Sequence, residues 1–224
     1  MPPARYDDIA AANYRQFIGV RSLTNDRLRD YFNACFQDAI DAVGCYSAWA
    51  CIDCIRKGSP AAELGDKPSR CPICESDRVF EIATFQSRAP AVGNAFESAV
   101  RHLLVRRFEL PAEPTPGNTR THDIEITGRI AIETKGSPRL VHNPNGTVIQ
   151  LGRPGLERTD TRKKAFDNAH TFRQRNRNAP FFIVSNAVPS DLVGYRSDDI
   201  TGIFNITQAS RVDSLATEIN AALL

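Results

Sequence analysis

Two acidic residues and one lysine near the middle of the chain have the types and spacing of a metal site. Nine residues separate Asp123 from Glu133, and Lys135 follows two positions after Glu133. Two carboxylates that are held close together repel each other unless a cation lies between them. A hard divalent ion with oxygen ligands, Mg²⁺ above all, suits such a pair. The sequence therefore indicates a Mg²⁺ site, provided that the fold brings both carboxylates together.

Alternating apolar residues on either side of Thr127-Gly128-Arg129 predict a β-hairpin that would do this. With those three residues as the loop, the paired isoleucines are Ile126 with Ile130 and Ile124 with Ile132. The same register places Asp123 directly opposite Glu133. One face of the hairpin is then isoleucine and packs on a core, while the other carries Asp123, Glu125, Glu133 and Lys135. A two-residue turn would put Asp123 and Glu133 on opposite faces, so the site depends on the three-residue loop.

Asp, a gap and then Glu-x-Lys at the end of a hairpin resembles the PD-(D/E)XK nuclease superfamily. Here the pattern reads Asp123 and Glu133-Thr134-Lys135, with His122 where the pattern has Pro. The resemblance implies that Asp123 and Glu133 hold Mg²⁺, helped by the backbone carbonyl of Thr134. It also implies that Lys135 orients or helps to deprotonate the attacking water. The alternative interpretation is a solvated hairpin face with an ordinary cross-strand Glu and Lys.

A helix predicted from about Val92 to Phe108 precedes the hairpin and carries a further carboxylate. Its segment from Gly93 to Glu97 gives Gly-x-x-x-Glu. This resembles the first helix of many PD-(D/E)XK nucleases, Holliday-junction resolvases among them, and the resemblance implies that Glu97 adds to the metal site. The alternative interpretation of Glu97 is a surface residue of the helix.

Two C-x-x-C pairs predict a zinc site nearer the N-terminus. The pairs are Cys51 with Cys54 and Cys71 with Cys74. Four thiolates complete a closed tetrahedral shell around Zn²⁺, so the site is expected to be structural rather than catalytic. The arrangement resembles a zinc ribbon, with Cys45 as an alternative ligand. Cys35 lies on the apolar stripe of a predicted helix and is expected to be a small buried hydrophobe.

Basic residues are concentrated after the predicted site, where Thr161 to Gln174 has the periodicity of an amphipathic helix. The expected contacts with DNA phosphates are Arg153, Arg158, Arg162, Lys163 and Lys164. A second hairpin is predicted between the metal site and this helix, with arms Arg139 to His142 and Thr147 to Leu151. This hairpin could lie in a DNA groove or simply decorate the surface, and Gln150 is a further candidate site residue.

The other elements complete an α/β pattern. Residues 5–43 are predicted to be mostly helical, Val79 to Phe85 a strand, Gln86 to Pro90 a linker, residues 110–121 an exposed connection, Pro180 to Asn186 and Asp199 to Ile206 strands, and Asp213 to Ile219 the opening of a final helix. The predicted domains are a helical and four-cysteine zinc-ribbon module (1–87) and a nuclease domain (88–224). The resemblance implies a restriction-endonuclease-like core in the second, with a mixed central sheet flanked by helices.

Composition and charge narrow the classes of protein. The chain has 224 residues, a net charge of +2, 42% hydrophobic residues and 24% charged residues, as ordinary globular proteins do. So small a net charge means that any DNA-binding surface is local. No apolar run approaches the ~20 residues needed to cross a bilayer, and the N-terminus has no signal-peptide pattern. We therefore expect a cytoplasmic protein without a membrane partner, in which paired cysteines bind metal.

Together these features predict a Mg²⁺-dependent endodeoxyribonuclease, most simply a type II restriction endonuclease acting on double-stranded DNA. A palindromic site would call for a homodimer. One alternative is a structure-specific nuclease, a Holliday-junction resolvase or repair enzyme. Another is a non-catalytic zinc-ribbon protein that binds nucleic acid.

Overall fold

A five-stranded mixed sheet flanked by helices organises the computed structural model. The structure describes residues 3–43, 49–57, 68–81, 84–117, 119, 121–143, 146 and 148–224. Its helices are α1 (Pro3–Asn13), α2 (Asn25–Val43), α3 (Ile52–Arg56), α4 (Thr84–Phe108), α5 (Thr159–Arg175) and α6 (Ala209–Leu223). Its strands are β1 (Trp49–Cys51), β2 (Val79–Glu81), β3 (Ala112–Pro114), β4 (Ile124–Ile126), β5 (Ile130–Lys135), β6 (Leu140–His142), β7 (Val148–Gln150), β8 (Phe181–Ser185) and β9 (Gly202–Asn205). Short π- or 3₁₀-helical turns cover Tyr14–Ile18, Gly155–Glu157 and Ser190–Leu192.

The strands of the main sheet lie in the order β3-β4-β5-β8-β9. The β3–β4 and β4–β5 pairs are antiparallel, whereas the β5–β8 and β8–β9 pairs are parallel. All five residues of β8 are buried, as expected for a central parallel strand that is covered on both faces. α5 connects β5 to β8 and lies against the same face as Ala131 and Ile183. β1–β2 and β6–β7 form two separate two-stranded ribbons.

The β4–β5 hairpin has the predicted register. Ile124 pairs with Ile132, and Ile126 pairs with Ile130. The loop is closed by the Arg129 N–H, which donates to the Ile126 carbonyl at 3.1 Å. The residues at its tip have φ of 53° (Thr127) and 66° (Gly128). All four isoleucines are at most 1% exposed, so the prediction of a buried isoleucine face is confirmed.

The isoleucine face packs against helices from both ends of the chain. One apolar cluster joins α1, α2, α4 and α6 to this side of the sheet, with the Phe36 ring of α2 stacked on Phe96 of α4 and the Phe32 ring tilted against it. The predicted helices within residues 5–43 are therefore part of the main core. The predicted domain division after residue 87 stays a prediction. Among the described helices, none combines the length and the apolar character needed to cross a membrane.

Three boundary predictions were wrong. The predicted linker from Gln86 to Pro90 lies inside α4, which begins at Thr84. Proline removes a helix hydrogen bond and usually ends a helix, but Pro90 is exposed and falls early in α4. The strand expected to reach Phe85 ends at Glu81. Part of the expected connection 110–121 forms the edge strand β3, where Pro114 is tolerated because an edge needs fewer donors.

Candidate active site

The end of β5 and the middle of α4 form the walls of one cavity of about 330 Å³. Its lining includes three of the sequence-predicted catalytic residues, Glu97, Asp123 and Lys135, together with Thr134. The loop after β5 and the start of α5 add Ser137, Gly155, Arg158, Thr161 and Lys164. The structure therefore brings side chains from α4, the β4–β5 hairpin and α5 to one place.

Asp123 is held in a fixed position by Thr134, the residue between Glu133 and Lys135. Asp123 directly precedes β4, which begins at Ile124, and the Asp123 N–H donates to the Ile132 carbonyl at 3.0 Å. The Oδ2 atom of Asp123 accepts two hydrogen bonds of 2.7 Å, from the backbone N–H and the side-chain hydroxyl of Thr134. Among the described residues, Oδ1 accepts no hydrogen bond and is left for another partner. The positioning hydroxyl of Thr134 was not predicted.

Glu133 is buried behind the cavity wall. It is 1% exposed, and its Oε1 accepts a 2.8 Å hydrogen bond from Asn168 Nδ2 of α5. The Lys135 ammonium forms an ion pair with the same oxygen and donates to the Thr134 carbonyl at 3.1 Å. Burial and the charge of Asp123 raise the pKa of Glu133 to about 7, although Lys135 and Asn168 oppose this shift. Lys135 thus supplies the positive charge beside Glu133.

Glu97 is the third acidic group of the site. It is half-buried, and no hydrogen-bond partner for its carboxylate is found among the described residues. Burial and the charge of Asp123 raise the pKa of Glu97 to about 7, and Arg101 partly offsets this. Arg101 is itself ion-paired with Asp7 of α1. The sequence-predicted carboxylate therefore lines the cavity, and its pKa is raised mainly because the side chain is partly withdrawn from water.

The donor set fits a hard divalent cation. Oxygen ligands from Asp123, Glu133 and Glu97 are the type that Mg²⁺ prefers. These carboxylates are not drawn together as tightly as a ligand shell, since only the four-cysteine cluster within the described chain gathers three or more ligand atoms within 4.8 Å of one another. A cation between Asp123 and Glu133 would take over the charge that Lys135 now balances.

The basic residues predicted to contact DNA fall into two groups. Arg158 and Lys164 line the cavity, and Arg158 also forms hydrogen bonds with Asp160 at 2.8 and 3.1 Å. The other three lie outside this lining: Arg162 pairs with Asp191 at 2.7 Å, Lys163 with Asp167 at 3.6 Å, and Arg153 is exposed. The first group is the one positioned to meet an anion in the cavity.

Two glycines allow the end of β5 to approach its neighbours closely. A Cβ on Gly136 would lie 2.3 Å from the ring of Phe96, the residue next to Glu97. A Cβ on Gly155 would lie 2.3 Å from Ser185 Oγ and 3.0 Å from the Lys135 carbonyl oxygen. Both approaches are shorter than van der Waals contact, so the distance between Lys135 and the residues around it depends on these glycines.

Gly155→Ala is expected to destabilise the fold by roughly 2–4 kcal/mol, because it adds both a clash and a strained backbone. Gly155 has φ of 52°, a conformation that residues with a Cβ rarely adopt. Urea unfolding would measure the change. Gly152→Ala is the matched control, since a Cβ there meets nothing within 4 Å. Equal stability of the two variants would contradict the close packing described for Gly155.

Raising the pH from 5 to 8 without added Mg²⁺ is expected to lower the stability of the wild type relative to Glu133→Gln. The pKa of Glu133 is about 7 in the folded chain and near its ordinary value when unfolded. The unfolded state therefore loses this proton first, and the stabilisation is lost as the pH rises through 7. The full effect is about 3 kcal/mol. Denaturant unfolding of both proteins across this range measures it, and a difference that does not change with pH would contradict it.

The predicted cysteine ligands form a second cluster, away from these carboxylates in the sequence. Cys51 and Cys74 sulfurs lie 3.4 Å apart, Cys54 and Cys71 3.7 Å, and Cys54 and Cys74 3.6 Å. Tetrahedral Zn²⁺ with Zn–S bonds of about 2.3 Å requires sulfur separations of roughly 3.8 Å. The four cysteines could therefore hold a metal ion such as zinc with little movement. Cys45, the alternative ligand, lies outside the described residues.

Short elements hold this cluster in place. β1 and β2 pair through Cys51 and Val79, and the hydroxyl of Ser76 donates to Asp53 at 2.6 Å. The backbone N–H of Cys54 lowers the pKa of the Cys51 thiol to about 7, whereas burial raises the pKa of Cys54 to about 12. Four crowded thiols cannot all ionise without a cation, so the cluster has the chemistry of a metal site.

Comparison with known proteins gives no relative. No family model, no curated protein and no solved structure matches this chain. A fold class does not by itself specify a function, so the chemistry of the two clusters carries the functional conclusion.

Proposed function

We propose that this chain is a Mg²⁺-dependent endonuclease that hydrolyses phosphodiester bonds in DNA. The observation that carries the proposal is the single cavity lined by Glu97, Asp123, Thr134 and Lys135, with Glu133 directly behind Lys135. The resemblance of Asp123 and Glu133-Thr134-Lys135 to the PD-(D/E)XK pattern supports it. So does the sheet, in which the hairpin carrying these residues is followed by a crossover helix and a parallel strand.

Each residue of the site has a defined task in this proposal. Asp123 and Glu133 would hold Mg²⁺, with Glu97 as an additional carboxylate. A bound Mg²⁺ supplies Lewis-acid polarisation of the scissile phosphate and lowers the pKa of water. Lys135 positions the attacking water and offsets the negative charge that develops on the phosphate. Thr134 fixes the orientation of Asp123 through the two 2.7 Å hydrogen bonds, and Asn168 does the same for Glu133.

The start of α5 supplies the positive charge for the DNA backbone. Arg158 and Lys164 line the same cavity as the carboxylates, together with Asp160, which pairs with Arg158, so a phosphate that reaches the site would meet both basic side chains. Contacts with phosphates provide most non-specific affinity for DNA and fix the register of the duplex. The four-cysteine cluster would hold structural zinc beside this domain, since a closed tetrahedral shell has no open position for substrate.

Within this proposal the preferred subtype is a type II restriction endonuclease that acts on double-stranded DNA as a cytoplasmic homodimer. A small nuclease with its own zinc module suits autonomous recognition of a site, and a palindromic site suits a two-fold symmetric protein. Incubation of the purified chain with plasmid and phage DNA, with Mg²⁺ or with EDTA, tests this. Discrete fragments that require Mg²⁺ would support it, and the fragment ends would give the recognition sequence.

The second candidate is a structure-specific nuclease, such as a resolvase or repair enzyme. The position of Glu97 at the cavity favours it, because the Gly-x-x-x-Glu helix resembles that of the resolvases. Branched and nicked substrates in the same assay would separate the two, since this class cleaves them in preference to linear duplex. Binding of DNA with no cleavage of any substrate would instead indicate a non-catalytic zinc-ribbon protein.

A further inference from the structure

We propose that the β6–β7 ribbon reads base pairs in a groove of the DNA duplex. The ribbon consists of Leu140–His142 and Val148–Gln150. The inference rests on the proposed function, because it names the part of the same protein that selects the substrate. Three observations support the inference: both ends of the ribbon lie at the cavity, its inner face packs on the core, and its outer face carries exposed side chains.

The ribbon leaves and returns at the candidate active site. Ser137 precedes β6 and Gly155 follows β7, and both line the cavity. The Gly155 N–H donates to Ser137 Oγ at 3.0 Å, so the two ends of the excursion are joined. Asn186, which follows β8, brackets Ser137 with hydrogen bonds of 2.8 and 3.1 Å. A duplex with its phosphate in the cavity would therefore lie beside the base of the ribbon.

The inner face of the ribbon is fixed to the core. Val141 is fully buried, and Ile149 packs against the same apolar cluster. The side-chain amide of Gln37 in α2 bonds both backbone groups of His142, accepting from its N–H and donating to its carbonyl, each at 2.9 Å. An anchored ribbon loses little conformational freedom on binding, which is what a sequence-reading element requires.

The outer face carries both apolar and hydrogen-bonding side chains. Leu140 lies opposite Gln150, and His142 lies opposite Val148, so all four share one face. All four are exposed, Leu140 by 48% and Val148 by 50%. Glutamine can contact adenine through two hydrogen bonds in the major groove, and apolar side chains contact the thymine methyl group. The face thus offers the two kinds of contact that distinguish base pairs.

The charge of the segment matches a polyanion. Residues 136–156 contain Arg139 and Arg153 and no Asp or Glu. Arg139 is ion-paired with Glu157, whereas Arg153 is exposed at the return of the ribbon. The major groove, about 12 Å wide, admits a two-stranded ribbon. Duplex DNA is therefore the partner that fits this face.

The test is selection of bound sequences from a random duplex library, with cleavage prevented by Glu133→Gln in every protein. Four proteins are compared. The parent carries Glu133→Gln alone, and the other three add Gln150→Ala, Val148→Ser or Val193→Ser. Val193 is the matched control, since it is 52% exposed and lies outside the ribbon. We expect Gln150→Ala and Val148→Ser to relax the preference at one or two base pairs by roughly 5- to 100-fold. Val193→Ser should select the same sequence as the parent.

An unchanged preference in both ribbon variants, or no selected sequence for the parent, would overturn the inference. Thermal unfolding checks that each variant is folded. If Val148→Ser does not fold, the base preference of Gln150→Ala alone decides the test. Cleavage of the same library by the wild type separates the two proposals. Cleavage without a ribbon-dependent preference would support the nuclease proposal and contradict base reading by the ribbon. A ribbon-dependent preference without cleavage would support base reading and contradict the nuclease proposal.

Discussion

Glu133→Gln is expected to reduce Mg²⁺-dependent cleavage of DNA by at least roughly 10³-fold. The substitution keeps the shape of a buried side chain but removes the negative charge that would hold the cation. It should also release Lys135 from its ion pair with Glu133. Single-turnover cleavage of an end-labelled duplex at saturating Mg²⁺ measures the rate, and circular dichroism shows whether the fold is retained.

Glu125→Gln provides the control for this prediction. Glu125 lies on the same hairpin, opposite Ala131, and its carboxylate contacts His122 at 3.0 Å instead of lining the cavity. Its replacement should leave the cleavage rate within a few-fold of wild type, because Glu125 does not line the cavity and an amide in its place can still hydrogen-bond to His122. Wild-type cleavage by Glu133→Gln, or equal losses in both variants, would remove Glu133 from the proposed metal site.

Cys54→Ser is expected to lower the zinc content of the purified chain from about one ion to well below one. The Cys54 sulfur lies within 3.7 Å of two other thiols, so its loss opens the shell. Structural zinc sites contribute apparent binding free energies of about 10–16 kcal/mol, which is as large as the whole stability of a typical domain. We therefore also expect protease cleavage within residues 49–81 after zinc removal by a chelator. Atomic emission and limited proteolysis measure the two effects.

Cys35→Ala is the matched control for the zinc prediction. Cys35 is fully buried in the main core, where desolvation raises the pKa of its thiol far above the usual value. It is a small hydrophobe there, as the sequence predicted, and its replacement should leave the zinc content unchanged. Equal zinc contents in the Cys35 and Cys54 variants would show that the four-cysteine cluster is not the zinc site.

Local patterns predicted the hairpin and its side chains because the constraints are local. Alternation along β4 and β5 and a three-residue loop are enough to set a register, and Ile124 and Ile132 pair as expected. The C-x-x-C spacing predicted the cysteine cluster for the same reason. Glu97 is farther away, and it was found only because a helix motif could be placed before the hairpin.

Other features depend on contacts that no local pattern encodes. Asn168 reaches Glu133 across 35 residues of sequence, and nothing in its helix distinguishes it from a surface asparagine. The pairing of Arg162 with Asp191 has the same character, so a count of basic residues overstates the unpaired positive charge of α5. Two prolines also led to wrong predictions of irregular structure: Pro90 lies inside a helix and Pro114 lies in a strand at the edge of the sheet. In both places the surrounding structure outweighs the local preference.

The hydrogen bond between Gly155 and Ser137 has a consequence for how this protein could diversify. The chain between them forms a closed excursion, and the entropy cost of closing a loop grows only slowly with its length. Residues can therefore be inserted, removed or exchanged beyond that bond while Lys135 and α5 keep their places, provided that an apolar side chain still fills the buried position of Val141. A lineage could acquire new target sequences by replacing this one segment, and an engineer could graft a different hairpin at the same two residues.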